Sequence, residues 1–394
     1  MHLSGKAAPS PSLDRRYVWA TAIVIAGIVY ASLFPFEFHR PPGIRGPLTT
    51  LLSTWNYPAG RGDLIANVLL YMPFGLFASL ALRHRSARAR VFIATCAGIA
   101  LSFAMELTQF YEAGRESAMS DVYTNALGTL LGAIFAGIVI AYSGRLPWGV
   151  SIDRRHRFAF ILIATWAAFQ LFPYVPVIDL HKYWRAVRPL IFSPEISAAR
   201  VYYFAACWLA LACMLKAILN AAGSRVAVVA LMGVVIGGRI LITGIVLTPS
   251  EIVGALAAAI VWILAASRLR NSALAVAIVL TGAVIIRGLE PFTFKTPPQD
   301  FEWIPFRSMI SGSPDLSAQS FLQKAFLYGS ALWLIARAGA GLRFATVLMA
   351  GIAFSLSQAH RYLPDRSRDI TDMLMVLILA GVFRMMEPSP LSRQ

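Results

Sequence analysis

Leu33-Phe34-Pro35-Phe36-Glu37-Phe38-His39-Arg40-Pro41-Pro42 returns, closely similar, as Leu289-Glu290-Pro291-Phe292-Thr293-Phe294-Lys295-Thr296-Pro297-Pro298. A shorter copy, Leu171-Phe172-Pro173-Tyr174, lies between them. Each copy closes a long apolar run. A repeat at this scale sets the architecture before any motif does. It predicts three groups of four helices, over residues 1–150, 151–270 and 271–394. An even number of spans per group makes the repeats parallel, related about the membrane normal rather than inverted.

The repeat sits in a chain that water alone would not cover. Of its 394 residues 58% are hydrophobic and only 14% charged, a balance that leaves too little polar surface for a soluble protein. A span needs about 20 mostly apolar residues. Twelve are expected: 17–34, 64–82, 91–110, 122–142, 157–173, 198–219, 226–247, 250–266, 272–289, 319–337, 342–359 and 370–386. The fold class is therefore an all-α integral membrane protein. Placing the N-terminus inside gathers the whole formal charge of +16 on inside segments and span ends. The loops with Arg83, Arg85, Arg88 and Arg90, and with Arg145, Arg154, Arg155 and Arg157, carry the strongest positive-inside signal. Both termini should then be cytoplasmic. Loop charge accounts for the basic pI, which removes the case for nucleic-acid binding. Arg15-Arg16 precedes the first span, but no small-residue cleavage site follows, so an uncleaved helix is expected. Cys96, Cys207 and Cys213 fall inside spans without C-x-x-C spacing and read as small core residues.

Two glycine pairs, Gly128/Gly132 and Gly233/Gly237, have the spacing that lets helices approach closely in lipid. Trp55, Trp184 and Trp303 fall in the three corresponding outer loops and read as an interfacial belt.

The polar residues concentrate between positions 102 and 132. Glu106 and Gln109 are three apart near the outer end of the third helix, and Asp121 and Asn125 four apart at the start of the fourth. Arg115 and Glu116 lie in the link. Such spacings put each pair on one helix face, and Asp121 meets the positive end of a helix dipole. Glu106, Gln109, Arg115, Asp121 and Asn125 are thus expected to converge on one pocket below the outer surface. A charge within hydrocarbon costs about 2.5–3.5 kcal/mol on insertion scales, so Glu106 needs a partner or a task. A helix-fastening bridge to Arg115 would suffice for one charge, but more amides and carboxylates gather there than one bridge requires. Arg239, in Gly237-Gly238-Arg239, is the second intramembrane charge, expected mid-span and opposite Glu106.

Asn67 and Tyr71 in Asn67-Val68-Leu69-Leu70-Tyr71-Met72-Pro73-Phe74-Gly75, then Glu106-x-x-Gln109, Arg115 and Asp121-x-x-x-Asn125-x-x-Gly128, resemble the VanZ-like family of membrane proteins over roughly residues 20–140. The last four spans resemble it more weakly: Pro305-Phe306, Tyr328, Arg366, Asp369 and Asp372 match, whereas Ser357 stands for Glu106 and Val376 for Asn125. The middle group has almost none of the motif, with Ser250-Glu251 near the Asp121 position. The resemblance implies a cell-envelope context and a link to glycopeptide antibiotic resistance, and no particular reaction.

The reading that follows is a non-enzymatic protein of the bacterial inner membrane. It would bind a lipid or lipid-linked envelope molecule, such as a polyprenyl-phosphate, at the outer face. Glu106, Gln109, Arg115, Asp121, Asn125, Asn67, Tyr71, His360, Arg366 and Asp372 would line the site, with Arg115, Arg361, Arg366 and Arg368 gripping phosphate. Two others stay open. An integral membrane transferase or hydrolase would use Glu106 or Asp121 as base and His360 or Arg115 on a phosphate. An ion-coupled transporter would use Glu106 as its coupling carboxylate. The sequence contains no nucleophile motif, metal-ligand cluster or phosphate loop, so no cofactor or metal is expected.

Overall fold

The computed structural model describes residues 13–39, 46–55, 61–113, 117–141, 156–175, 177, 179–192, 194–242, 244–310, 313–364 and 366–386. Of the residues singled out above, Arg40, Pro41, Pro42, Arg115, Glu116, Arg145, Arg154 and Arg155 lie outside this set. The chain forms two compact units, Met1–Ser151 and Ile152–Gln394.

The first unit contains α1 (Arg15–Leu33), α2 (Pro47–Ser53), α3 (Arg61–Ala81), α4 (Ala87–Gln109) and α5 (Met119–Ala141). The second opens with α6 (Arg157–Leu171), α7 (Leu180–Phe192), α8 (Ala198–Leu219), α9 (Ala221–Leu241) and α10 (Pro249–Leu264). It continues with α11 (Ser272–Leu289), α12 (Arg307–Ile310), α13 (Pro314–Ile335), α14 (Leu342–Ala359) and α15 (Thr371–Met386). The described residues include no β-strand, only isolated bridges between Phe38 and Glu112 and between Glu302 and Asp369. Each of the twelve expected spans is occupied by one helix. Among the described residues seven helices are long and apolar enough to cross a membrane: α1, α4, α5, α8, α9, α11, and α14 with its extension to Tyr362. The apolar part of α3, Ala66–Ala81, and helices α6 and α10 are shorter. The protein is an all-α membrane protein with several membrane-crossing segments.

Polar side chains mark where the helices begin. Asp14, Ser86, Ser197, Asn220 and Asn271 each accept from a backbone N–H of the following first turn, satisfying a donor the helix leaves orphaned. Three helices end on the repeated Pro-aromatic element, and its copies share one conformation. Pro35, Pro173 and Pro291 follow cis peptide bonds, and the next residues, Phe36, Tyr174 and Phe292, have φ of 69°, 64° and 62°. Their N–H groups return to the carbonyls of Leu33, Leu171 and Leu289 at 2.8 Å in every copy.

Two expectations change. The run 226–247 reads as one span, but α9 stops at Leu241 and the chain turns through Gly244 at φ 75° before α10 begins at Pro249. Arg239 therefore sits in the last turn of α9 rather than mid-span. The glycine pairs also differ. A Cβ on Gly128 or Gly132 would strike the backbone of α3 at Val68 or Met72, and one on Gly75 would strike α5 at Thr129. Gly233 and Gly237 have open space beside them instead. Close approach of this kind lets van der Waals contact hold helices together where lipid gives no hydrophobic drive.

In the first unit Ile28, Tyr71 and Phe74 form a small core around α3. The second unit has a larger one, with Trp166 on α6 packed 4.7 Å from Phe326 on α13 and Phe158 stacked 4.5 Å from Phe383 on α15. Helix α6 thus packs directly on α13 and α15 of the same unit. Cys207 and Cys213 are free thiols within that core, whereas Cys96 is exposed on α4.

Candidate functional site

In the first unit the α4 residues Ser102, Glu106 and Gln109 fall on one buried face. Opposite them α5 buries Ser120, Thr124, Asn125, Gly128 and Thr129. The glycine contact brings α5 against α3, which supplies Tyr71. Glu106 is 3% exposed; its Oε2 accepts from Ala118 N at 3.0 Å, and its carbonyl accepts from Ser117 Oγ at 2.6 Å. These bonds tie Ser117 and Ala118, just before α5, to the last turn of α4. Asn125 donates through Nδ2 to Ser102 Oγ at 2.9 Å. Asp121, in the first turn of α5, accepts from Ser120 Oγ at 3.3 Å. The Tyr71 hydroxyl is fully buried beside Ser102 and Glu106, and among the described residues Asn125 Oδ1 is left without a hydrogen-bond partner. Asn67 lies half-buried on α3, one turn before Tyr71. Glu106, Tyr71 and Asn125 are thereby brought into one cluster by Ser102, at the end of the unit where α4 passes into α5.

Gln109 has a different task. Its Nε2 donates to the carbonyl of Ser32 at 2.7 Å, bracing the end of α1. Beyond it, His39 N donates to Tyr111 O at 2.7 Å and Glu37 N to Glu112 Oε1 at 2.7 Å, laying the Pro-aromatic segment along the α4–α5 link. Glu112 is 1% exposed, and its Oε2 has no partner among the described residues. Sequence reasoning passed over it, although Glu106-x-x-Gln109-x-x-Glu112 continues the same stripe.

The C-terminal helices α11 to α15 show bracing of the same kind. His360 meets Gly288 O through Nε2 and Ser367 O through Nδ1, each at 2.9 Å. Both ring nitrogens are engaged, so this histidine braces the end of α11. Arg366 donates to Glu290 O at 2.8 Å and to Arg287 O at 3.1 Å. Its guanidinium, lowered in pKa by burial and by neighbouring Arg287, thus caps the C-terminus of α11. Arg361 and Arg368 bind Gln299 O at 3.0 Å and Asp300 O at 2.8 Å. Arg361, Arg366 and Arg368 thus all hold the end of α11 and the loop after it, and Arg115 lies outside the described residues. Asp372 is bound by Lys324 Nζ at 2.6 Å and by Tyr328 OH at 2.9 Å, and Asp369 by Ser308 Oγ at 2.6 Å. Lys324 was not singled out in the sequence; a lysine four residues before Tyr328 inside an apolar helix was its signal.

Between α9 and α10 Arg239 forms a fork with both oxygens of Glu251, at 3.1 and 3.2 Å, and also donates to Gln170 Oε1 on α6. Its carboxylate partner is Glu251, in place of the Glu106 expected from the repeat. The pair closes the α9–α10 hairpin with the cation at a helix C-terminus and the anion in a helix first turn, where dipoles favour both.

A helical membrane protein with a buried, incompletely bonded polar cluster in its first unit is the class these features define. Residues 15–140, which span that cluster, match the VanZ/LLP1 family. No curated protein and no solved structure matches the chain.

Proposed function

We propose that the N-terminal unit binds a lipid or lipid-linked envelope molecule at the outer face of the bacterial inner membrane, both termini being cytoplasmic. One observation carries this reading: among the described residues the buried polar cluster of Tyr71, Ser102, Glu106 and Asn125 is incompletely bonded, with Asn125 Oδ1 left without a partner. Leaving such an atom unpaired costs about 1–3 kcal/mol, which packing alone gives no reason to retain. A ligand that bonds it removes that cost. The apolar surfaces of α4 and α5, where Phe92, Leu127, Leu131 and Phe135 are exposed, offer a path for a tail. Arg115, placed by sequence in the α4–α5 link, would meet a phosphate, for which a polyprenyl-phosphate or phospholipid headgroup is suited. A part in glycopeptide antibiotic resistance would follow from handling of cell-wall precursors, and rests on the family resemblance. Binding is preferred to transferase or hydrolase chemistry because His360, the best acid–base candidate, is held at both ring nitrogens by backbone carbonyls.

Native mass spectrometry of gently solubilised protein tests this, comparing wild type with an Arg115→Ala/Asp121→Ala variant. A specific lipid retained by wild type and lost from the folded variant supports the reading. Identical lipid profiles would reduce the cluster to a structural bridge.

A further inference from the structure

Helix α7 in the second unit is set apart by its charge and by how much of it is uncovered. It carries Lys182, Arg185 and Arg188 and no carboxylate. Its 13 residues extend for about 20 Å, too short to cross a hydrocarbon core of about 30 Å. Two backbone bonds fasten this segment beside the α9–α10 hairpin, from Val177 N to Leu241 O and from Leu247 N to Ala186 O, each at 3.0 Å. Ala186 is buried there, whereas Leu180, Trp184 and Ile191 are 81%, 49% and 60% exposed.

The exposed side chains are ordered around the helix. At about 100° per residue, Leu180, Trp184 and Ile191 share a stripe roughly 40° wide. Arg188 and Arg185 come next to that stripe and are exposed, with Lys182 beyond them and Ala186 roughly opposite Arg188. The two arginines thus occupy the side that the rest of the unit does not cover. Trp184, Arg188 and Phe192 stand one turn apart. The Arg188 guanidinium lies 5.9 Å from the centre of the Phe192 ring, and that ring 6.1 Å from Trp184. This cation–π contact sets the guanidinium at the edge of the apolar stripe. Asp179, the carboxylate just before the helix, is engaged at its start, accepting from His181 N at 2.9 Å. Among the described residues no carboxylate lies within ion-pair distance of Lys182, Arg185 or Arg188.

We infer that α7 docks on anionic phospholipid of its own membrane, with lipid phosphates at Lys182, Arg185 and Arg188 and the apolar stripe among the acyl chains. A basic amphipathic helix gains from buried apolar area and from negative lipid charge together. A zwitterionic surface would serve the stripe but leave three cations without a net counter-charge. In the topology proposed above α7 lies on the outer side, where lysine and arginine are otherwise the less favoured residues. A lipid counter-charge gives them a task there. The chemistry of this partner depends neither on that topology nor on the ligand of the N-terminal unit.

The test is titration of full-length protein in neutral detergent with phosphatidylglycerol or phosphatidylcholine, read by native mass spectrometry with the melting temperature recorded alongside. Phosphatidylglycerol is expected to bind more tightly. Each of Lys182→Gln, Arg185→Gln and Arg188→Gln should lower that preference roughly fivefold, the worth of one basic residue at an anionic surface. The triple variant should lower it roughly a hundredfold at an unchanged melting temperature. Arg185→Lys/Arg188→Lys should keep it, because a charged surface needs no bidentate fork, and added salt should weaken it. The same ratios are expected in an Arg115→Ala/Asp121→Ala background, which removes the lipid proposed for the N-terminal unit, so the two readings fail separately. Equal binding of both lipids by the wild type would overturn the inference. So would a preference that survives the triple variant in that background. Loss of the preference in the folded Arg185→Lys/Arg188→Lys variant would replace the surface by a bidentate phosphate pocket. Displacement of phosphatidylglycerol by inorganic phosphate at equal concentration would overturn the lipid as the partner.

Discussion

Replacing Glu251 by Gln should destabilise the second unit by several kcal/mol, and the geometry sets the size. Arg239 and Glu251 have side-chain exposures of 14% and 7%, and two nitrogen–oxygen contacts of 3.1 and 3.2 Å join them in a fork. At an effective dielectric of about 20, unit charges about 4 Å apart attract by roughly 4 kcal/mol. Removing one partner also leaves the other charge buried and unpaired, a loss measured at about 3–5 kcal/mol in comparable pairs. Glu251→Gln and Arg239→Met should therefore each cost in that range. The double variant Arg239→Met/Glu251→Leu should lie within about 1–2 kcal/mol of wild type, because an apolar pair restores packing without stranding a charge. Reversible unfolding in mixed micelles, run as a double-mutant cycle, reads the coupling directly. Single-variant costs that simply add in the double variant would refute the pairing. So would a Glu106 substitution that rescues Arg239→Met.

Gly132→Leu should separate α3 from α5, since even a Cβ there strikes the Met72 backbone. Overpacking of this kind costs about 1–3 kcal/mol or more, whereas Gly237→Leu, facing open space, should leave the melting temperature nearly unchanged. His360→Ala should cost about 1–3 kcal/mol by stranding Gly288 O and Ser367 O, without altering lipid retention by the N-terminal unit; altered retention with an unchanged melting temperature would contradict the bracing role. Helix α7 exposes Leu180, Trp184, Ile191 and Phe192, and Ala186 is its one buried residue. It should lie in the membrane interface, about 5–10 Å into the headgroup region, so Trp184→Phe should remove a fluorescence component that shallow lipid-borne quenchers suppress. Equal quenching by deep and shallow probes would contradict that placement.

The helices were legible because apolar runs of span length have few other fates. Helix ends were less so. Residues 242–247 are as apolar as the helix before them, and hydropathy gives no sign that Gly244 turns the chain. The short helices α2, α7 and α12 in the loops lacked the length that makes a periodic pattern decisive. Small-residue spacing was a necessary sign of close approach but not a sufficient one: Gly128/Gly132 meets a backbone, and Gly233/Gly237 meets none. In the candidate site, spacing correctly placed Glu106 and Asn125 on facing helix surfaces. It could not show that Gln109 and His360 would turn to backbone carbonyls, because a long polar side chain at a helix end has several partners within reach. Arg239 was misassigned for a related reason: repeat logic supplied Glu106, and the nearer carboxylate lay twelve residues on, across a turn that the sequence hid.

The central claim is that the buried cluster around Tyr71, Glu106 and Asn125 receives a lipid headgroup. Electron cryo-microscopy of the protein in nanodiscs of phosphatidylethanolamine and phosphatidylglycerol tests it most directly. The account predicts a headgroup within hydrogen-bonding distance of Tyr71 Oη and Asn125 Oδ1, with its tails along α4 and α5. A cluster closed by its own side chains, with ordered lipid only on the outer surface of the helices, would contradict it.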